Sequence, residues 1–387
     1  MSRAWLDSLG PQKIRPGLSR TRALLGGLGR PDLAFRSILI GGTNGKGSTS
    51  AAVSSILTAA GIATGLYTSP HLVRVNERIR LHERDISDRA LDDVLGLLAV
   101  TAGAGGLVPT YFEALTVAAL ELFRRARVEV AVVEVGLGGR LDATNVLEPE
   151  IAVVTTVSED HLDVLGPTLS DVAREKAGIF RRGEAALTAA TGEGLAALVA
   201  EARRIGARLL EIPPTDRFDG VSPLPGAHQR KNLALACAAA SGIACLDEAT
   251  LRAGIAATRW PGRLQRVSRR GRELLLDGAH NPEGAAALAR YLDDSGLSGR
   301  VGLVFGGLAD KDLEAVFHEL RPRVRRVVLV PVDSPRSEAP ERLRVRLGLP
   351  DAATAPDLAS ALELVESAGA PILVTGSLVL VGQALAL

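Results

Sequence analysis

Unbroken apolar runs recur along the chain, and each is followed by glycines or a carboxylate and then by a stretch of helical period. Residues 37–41 (SILIG), 128–135 (VEVAVVEV) and 151–157 (IAVVTTV) show little of the in-out alternation of a half-exposed strand. Continuous Val/Ile runs of this kind suit a parallel sheet covered on both faces. Helical patterns at 47–60, 91–100, 112–125 and Leu169–Ala177 lie between or after them. Strand, glycine loop and helix in that order open an α/β unit.

After residues 260–263 (WPGR) the rhythm restarts. Strands are predicted at 273–277, 300–305, 327–332 and 371–374, with helices at 283–292, Leu313–Leu320 and 358–367. This is a second, smaller α/β domain, and the boundary falls within 264–270. The Pro/Gly-rich stretch 212–227 reads as a loop. The closing apolar run, 372–387, is short and is interrupted by Thr375, Gly376, Ser377 and Gln383, so it fails the ~18-residue requirement for a membrane span. The N-terminus has no apolar signal core. A soluble, cytoplasmic protein is expected.

Length agrees with this division, since 387 residues exceed one compact core of ~100–200 residues. Hydrophobic residues make up 47%, enough to fill two cores without long disordered stretches. The 45 basic and 44 acidic residues leave a net charge of +1, which gives no case for a nucleic-acid or membrane surface. Cys237 and Cys245 are expected reduced and buried, being too few for a disulfide framework or a zinc set. Lysine is rare: Lys13, Lys46, Lys176, Lys231 and Lys311 are the five, and three of them fall inside the strings described next.

Residues 41–48 (GGTNGKGS) follow a strand and open a helix. Glycines let backbone N–H groups wrap phosphate oxygens, and the helix N-terminus favours an anion. Lys46 is placed to reach the β- and γ-phosphates. The pattern departs from the standard nucleotide loop, because Gly47 follows the lysine and the hydroxyl comes at Ser48. Glu134 ends a strand and leads into GLGGRLDATN; a carboxylate there suits Mg²⁺, although a lone Glu at a strand end is more often solvated. TSPHL (68–72), DHLDVLG (160–166) and EKAGI (175–179) read singly as a turn, a structural histidine and a glycine-capped helix end. DGAHNP (277–282), with Asn281 as a helix cap and Pro282 behind it, and GGLADKD (306–312) are likewise turns when taken alone. Their shared placement at strand C-termini argues for a site.

Together these strings resemble the folylpolyglutamate synthase/dihydrofolate synthase family, within the wider Mur ligase superfamily. The resemblance runs from GLSR (17–20) through GTNGKGS, TSPHL, YFE (111–113), EVGLGGRLDATN, DHLDVLG, EKAGI, HQRKN (228–232), PGR, DGAHNP and DKD to TGSL (375–378), nearly the whole chain. It implies a P-loop-containing N-terminal α/β domain with a mostly parallel sheet (1–266), which binds ATP and the pterin. A smaller Rossmann-like α/β domain (267–387) would bring in glutamate. Thr43, Asn44, Gly45, Lys46, Gly47 and Ser48 match the loop that holds ATP, and Asn232, Arg263 and Asp277 match further ATP contacts. Ser69, Glu134 and His161 match the magnesium ligands. Lys176 matches a lysine carboxylated by CO₂. Thr110, Tyr111, Phe112 and Glu113, with Leu141, Asp142 and Ala143, match the pterin-side contacts. Lys46, His161 and Lys176 are the expected catalytic residues, with ATP and Mg²⁺ as cofactors.

The implied activity is ADP-forming ligation of L-glutamate to dihydropteroate, reduced folates or both, by way of an acyl phosphate. The implied partners are these small molecules, with no nucleic acid or membrane and a monomeric state. Two other readings remain: a Mur-type ligase for a cell-wall precursor, opposed by GLGGRLDATN, and a non-ligase P-loop ATP-binding switch. A guanine switch would carry Asn-Lys-x-Asp, which is missing from this sequence. The chain is short for the family at 332–350, which leaves polyglutamate specificity open.

Overall fold

The structure is a computed structural model that describes residues 2–10, 14–215, 221–365, 367 and 369–387. It divides into two compact units. The first comprises Met1–Pro70, Asn76–Pro223 and Arg230–Arg259; the second comprises His71–Val75, Leu224–Gln229 and Trp260–Leu387.

The first unit holds strands β1 (Arg36–Gly41), β2 (Thr64–Tyr67), β3 (Ile79–Leu81), β4 (Arg84–Asp85), β5 (Val130–Glu134), β6 (Ile151–Val154), β7 (Ala185–Thr188) and β8 (Arg208–Glu211). They form one sheet in the order β4-β3-β2-β5-β1-β6-β7-β8. Every neighbour pair is parallel except the β2-β3-β4 meander at one edge. Its helices are α1 (Ser2–Ser8), α2 (Ser19–Gly27), α3 (Lys46–Ala59), α4 (Asp88–Ala104), α5 (Tyr111–Arg125), α6 (Leu162–Leu165), α7 (Leu169–Ala177), α8 (Gly192–Ile205), α9 (Gln229–Ile243) and α10 (Glu248–Ala257). The apolar continuity of the sequence has its physical cause here, since all five residues of β5 are buried and so is β1 after Arg36.

Helix α3 is buried from Gly47 to Leu57, which explains its Ser/Ala/Gly content. A Cβ at Gly254 of α10 would lie 2.4 Å from the Cα of Ile56, so the two helices touch backbone to backbone. Helix α5 begins with a capping box. The Glu113 N–H donates to Thr110 Oγ1 at 3.2 Å, and the Thr110 N–H donates to Glu113 Oε2 at 2.6 Å.

The second unit holds β9 (Gln265–Arg269), β10 (Arg272–Leu276), β11 (Val301–Phe305), β12 (Val324–Leu329), β13 (Ala353–Thr354) and β14 (Ile372–Thr375), in the order β13-β12-β11-β14-β10-β9. Only the β9-β10 hairpin is antiparallel. Helices α11 (Pro282–Asp294), α12 (Leu313–Leu320), α13 (Pro340–Arg346), α14 (Leu358–Leu364) and α15 (Leu378–Ala386) accompany this sheet, and the apolar residues of the unit gather in two core clusters. Among the described residues no helix is long and apolar enough to cross a membrane.

Several sequence expectations shift. Packing divides the chain at Arg259/Trp260, ahead of 266/267, because Gln265–Arg269 pairs with β10 as a strand of the second sheet. The predicted strand 151–157 ends at Val154, since Thr155 and Thr156 turn their hydrogen bonds to the loop after β1. The strand predicted at 327–332 runs Val324–Leu329, starting among arginines whose side chains point to solvent. The helix predicted at 358–367 ends at Leu364. Cys237 is half-buried and Cys245 is exposed, where both were expected buried; Cys245 lies beyond the end of α9. Gly178 has φ −60, so it is no left-handed cap. Glycine is needed because a Cβ would lie 2.3 Å from the Cβ of Arg140.

Candidate active site

The loop after β1 lies in the middle of the first sheet, between the ends of β5 and β6. Gly42 (φ +135) and Gly45 (φ +87) adopt backbone angles that a side chain would strain. A Cβ at Gly42 would also meet Thr155 Oγ1 at 2.0 Å. The β6 end braces the loop: the Thr43 N–H donates to the Thr156 carbonyl at 2.9 Å, the Asn44 N–H to Thr156 Oγ1 at 3.1 Å, and Thr155 Oγ1 to the Asn44 carbonyl at 2.6 Å. Thr155 and Thr156 carry a structural role that their β-branched run concealed.

Lys46 opens α3, and its ammonium donates to the Gly42 and Thr43 carbonyls, each at 3.0 Å. The charge is thereby held inside the loop. Ser48, in the first turn of the helix, is buried. Asn232 of α9 stands against the same loop, since a Cβ at Gly45 would lie 2.3 Å from Asn232 Oδ1. The structure thus brings together the loop residues and Asn232, which lie far apart in sequence.

Glu134 ends β5, next in the sheet to β1, and is buried. The Ser69 N–H donates to its Oε2 at 3.0 Å, so two of the three expected metal ligands are adjacent. His161, in a left-handed conformation (φ 54) just before α6, has its Nε2 3.8 Å from an Asp160 carboxylate oxygen. Among the described residues no three His, Cys, Asp or Glu side chains gather as a cation cage. The donor set nevertheless fits magnesium. That ion prefers one or two carboxylates plus substrate phosphate and water to an all-protein cage, and a buried carboxylate calls for a cation.

The GLGGR loop packs on the end of α7. The Arg140 N–H donates to the Glu175 carbonyl at 2.8 Å, and its guanidinium pairs with Glu175 at 2.7 Å. A Cβ at Gly139 would lie 2.7 Å from the Glu175 carbonyl oxygen and 2.9 Å from that of Lys176. The glycine cluster thus lets the end of α7 approach the Glu134 loop, and Lys176 is buried there, only 4% exposed.

Around the expected pterin contacts, much of the side-chain chemistry is spent internally. Thr110 and Glu113 close the capping box, and Glu113 also pairs with Arg20 at 2.8 Å. Asp142 accepts from the Leu137 N–H at 2.9 Å and the Thr144 hydroxyl at 2.6 Å; burial raises its pKa against these hydrogen bonds. Phe112 lies over Gly136, and the Arg78 guanidinium sits 5.6 Å above the Tyr111 ring. Leu141 is exposed and Ala143 buried. Glu113→Ala is expected to cost about 3 kcal/mol of stability, because it opens the cap and leaves the partly buried Arg20 unpaired. Chemical denaturation with an unchanged midpoint would contradict this.

In the second unit, loops after β10, β11 and β14 converge. The Gly376 N–H donates to the Ala279 carbonyl at 3.1 Å, and a Cβ at Gly307 would meet the Gly376 carbonyl at 3.0 Å. Asp277 is buried with both oxygens occupied: Oδ2 accepts from the Leu264 N–H at 3.0 Å and Oδ1 from the Ala279 N–H at 2.9 Å. Burial raises its pKa, while the neighbouring Arg263 opposes the rise. Burial, with Arg263 and Arg290 beside it, lowers the pKa of His228 to about 4, so its ring is neutral near pH 7. Asn281 caps α11, accepting from the Gly284 N–H at 2.9 Å, and Pro282 follows as the sequence predicts.

Comparison with known proteins agrees with this geometry. The Mur ligase middle domain matches residues 40–211, and the Mur ligase glutamate ligase domain matches residues 262–378. The dihydrofolate synthase/folylpolyglutamate synthase of Bacillus subtilis (strain 168) is 32% identical, over 97% of this chain and 96% of its own length. The solved structure of Escherichia coli FolC in complex with DHPP and ADP superposes with a TM-score of 0.89 at 33% identity, covering 100% of this chain and 97% of that one. A bifunctional folylpolyglutamate synthase/dihydrofolate synthase with Mn, AMPPNP and L-glutamate bound superposes with a TM-score of 0.88 at 30% identity, covering 100% of this chain and 97% of that one. This chain belongs to the folylpolyglutamate synthase/dihydrofolate synthase family of the Mur ligases.

Proposed function

We propose that the chain is an ATP-dependent, ADP-forming ligase that joins L-glutamate to the carboxylate of dihydropteroate and of reduced folates. The observation that carries the reading is the arrangement at the centre of the first sheet. A glycine loop with Lys46 at a helix start lies beside Ser69 and a buried Glu134 at adjacent strand ends. The relatives' complexes with DHPP, nucleotide and L-glutamate supply the substrate class.

A free carboxylate is a poor acyl donor. One of its oxygens attacks the γ-phosphorus of ATP and ADP leaves, giving an acyl phosphate. The amine of glutamate then attacks the carbonyl carbon, loses a proton, and inorganic phosphate departs with one oxygen of the original carboxylate. Lys46 would offset the negative charge that gathers during phosphoryl transfer. Thr43, Asn44, Gly45, Gly47 and Ser48 would wrap the phosphates, with Asn232, Arg263 and Asp277 as further ATP contacts. Ser69, Glu134 and His161 would hold the divalent cation, which would supply positive charge against that of the phosphates. Lys176 would carry a carbamate formed from CO₂, placing an anion near that cation. The pterin end would lie along 110–113 and 141–143. The same reading makes the enzyme cytoplasmic and monomeric.

The reading is tested by following ADP release with purified chain. ADP should form only when both the pteroate-type acid and glutamate are present, and release that ignores both would point to a switch or plain ATPase. Glu134→Gln and His161→Ala should each raise the Mg²⁺ concentration for half-maximal activity by about tenfold or more. If neither shifts that concentration, the cation is held elsewhere.

A further inference from the structure

The string GLGGRLDATN ends in Asn145, a buried residue with both ends of its amide engaged. Its Nδ2 donates to the Arg140 carbonyl and to the Gly178 carbonyl, each at 3.0 Å. Its Oδ1 accepts from Arg181 Nη2 at 3.0 Å. Carbonyls at one end and a guanidinium at the other fix which atom is the nitrogen. Arg181 also donates to the Leu147 carbonyl at 2.6 Å and to the Ile179 and Phe180 carbonyls at 3.2 and 3.3 Å, and it pairs with Glu148. Asn145, Arg181 and all these partners lie within the first unit.

These bonds tie the loop after β5 to the turn after α7, and that turn reaches the strand ends of the site. The Ile179 N–H donates to the Lys176 carbonyl at 3.3 Å. A Cβ at Gly41, the last residue of β1, would lie 3.3 Å from Ile179 Cδ1, and one at Gly139 would lie 3.0 Å from Ile179 Cγ2. The end of α7 therefore sits on the loops after β1 and β5, with Lys176 buried in it. A short neutral amide suits this place. Aspartate would set a carboxylate against two carbonyl oxygens, and alanine would leave both carbonyls without their donor.

We propose that Asn145, backed by Arg181, is a positioning residue for the reaction: its amide latches the turn after α7 onto the GLGGR loop and so holds Lys176 buried beside the strand ends of the site. The inference rests on the ligase reading, in which Lys176 takes part in the reaction. Asn145 acts through the backbone of Arg140 and Gly178, not through substrate. Its loss frees the end of α7 locally, while β1, β5 and their core keep their own ladder and packing.

Asn145→Ala and Arg181→Lys test this in the full chain. Pulses of acetic anhydride, followed by peptide mass spectrometry, read how readily each lysine amine is reached, without turnover. In Asn145→Ala, Lys176 should be acetylated about tenfold faster or more, the scale of leaving buried carbonyls unpaired, while Lys231 and Lys311 keep their wild-type rates. In the same variant kcat should fall about tenfold or more, as for a misplaced reacting group, with KM for ATP unchanged. Arg181→Lys keeps the charge beside Glu148 but loses the planar fork. It should move both readouts in the same direction, and it decides alone if Asn145→Ala fails to fold. A lower unfolding temperature with unchanged Lys176 acetylation would reduce Asn145 to support of the fold and overturn the inference. So would faster acetylation of all three lysines alike, or faster Lys176 acetylation with unchanged kcat. A wild-type chain that makes no product would sink the ligase reading, and the acetylation rates would still decide whether Asn145 holds Lys176.

Discussion

Lys46→Ala should lower ligation by at least about 10²–10³-fold, the scale of losing one preorganised donor to transition-state charge, while leaving the fold intact. The Lys46 ammonium donates to carbonyls of its own loop, those of Gly42 and Thr43. The loop shape rests instead on Gly42, Gly45, Thr155 and Thr156. Circular dichroism and the unfolding temperature should therefore match the wild type while ADP release falls away. Turnover at the wild-type rate would remove Lys46 from the chemistry.

Lys176→Ala should be nearly inactive, with a loss of about 10²-fold or more, the upper range for groups that orient a metal's surroundings. Forming a carbamate needs a neutral amine: its nitrogen attacks the carbon of CO₂, and a proton leaves. Burial favours the neutral amine, and Lys176 is buried at the end of α7, where the GLGGR loop closes over that helix. A small added carboxylate should restore part of the activity by standing in for the lost anion. Arginine should not substitute, because it keeps its positive charge and cannot form the adduct. Bicarbonate-dependent mass gain of one CO₂ at Lys176, seen in native mass spectrometry, is the companion expectation. Full activity in Lys176→Arg would refute the modification.

How much of this was legible depended on whether the physics was local. The runs that became β1 and β5 announced burial on both faces, and GGTNGKGS between a strand and a helix announced an anion site. The capping box at Thr110 and Glu113 went unread, because the family resemblance gave both residues to the pterin side. What stayed hidden involved partners distant in sequence. Nothing around Thr155 and Thr156 says that they brace the loop at 41–48, because a β-branched pair after a strand looks like more strand. Gly178 looks like a helix cap until Arg140 arrives beside it. The grouping of His71–Val75 and Leu224–Gln229 with the second unit has no composition signal. Cys245 was misjudged because a small-residue stretch reads as buried helix, whereas α9 ends at Ile243.

One isotope measurement addresses the proposed chemistry directly. Dihydropteroate labelled with heavy oxygen in its carboxylate is incubated with the chain, ATP, Mg²⁺ and L-glutamate, and both products are weighed by mass spectrometry. If the acid is activated as an acyl phosphate, the organic product gains one glutamate residue by an amide bond and the released inorganic phosphate carries one heavy oxygen from the acid. Phosphate without the label, or phosphate released with no amide product, would contradict ligation through an acyl phosphate.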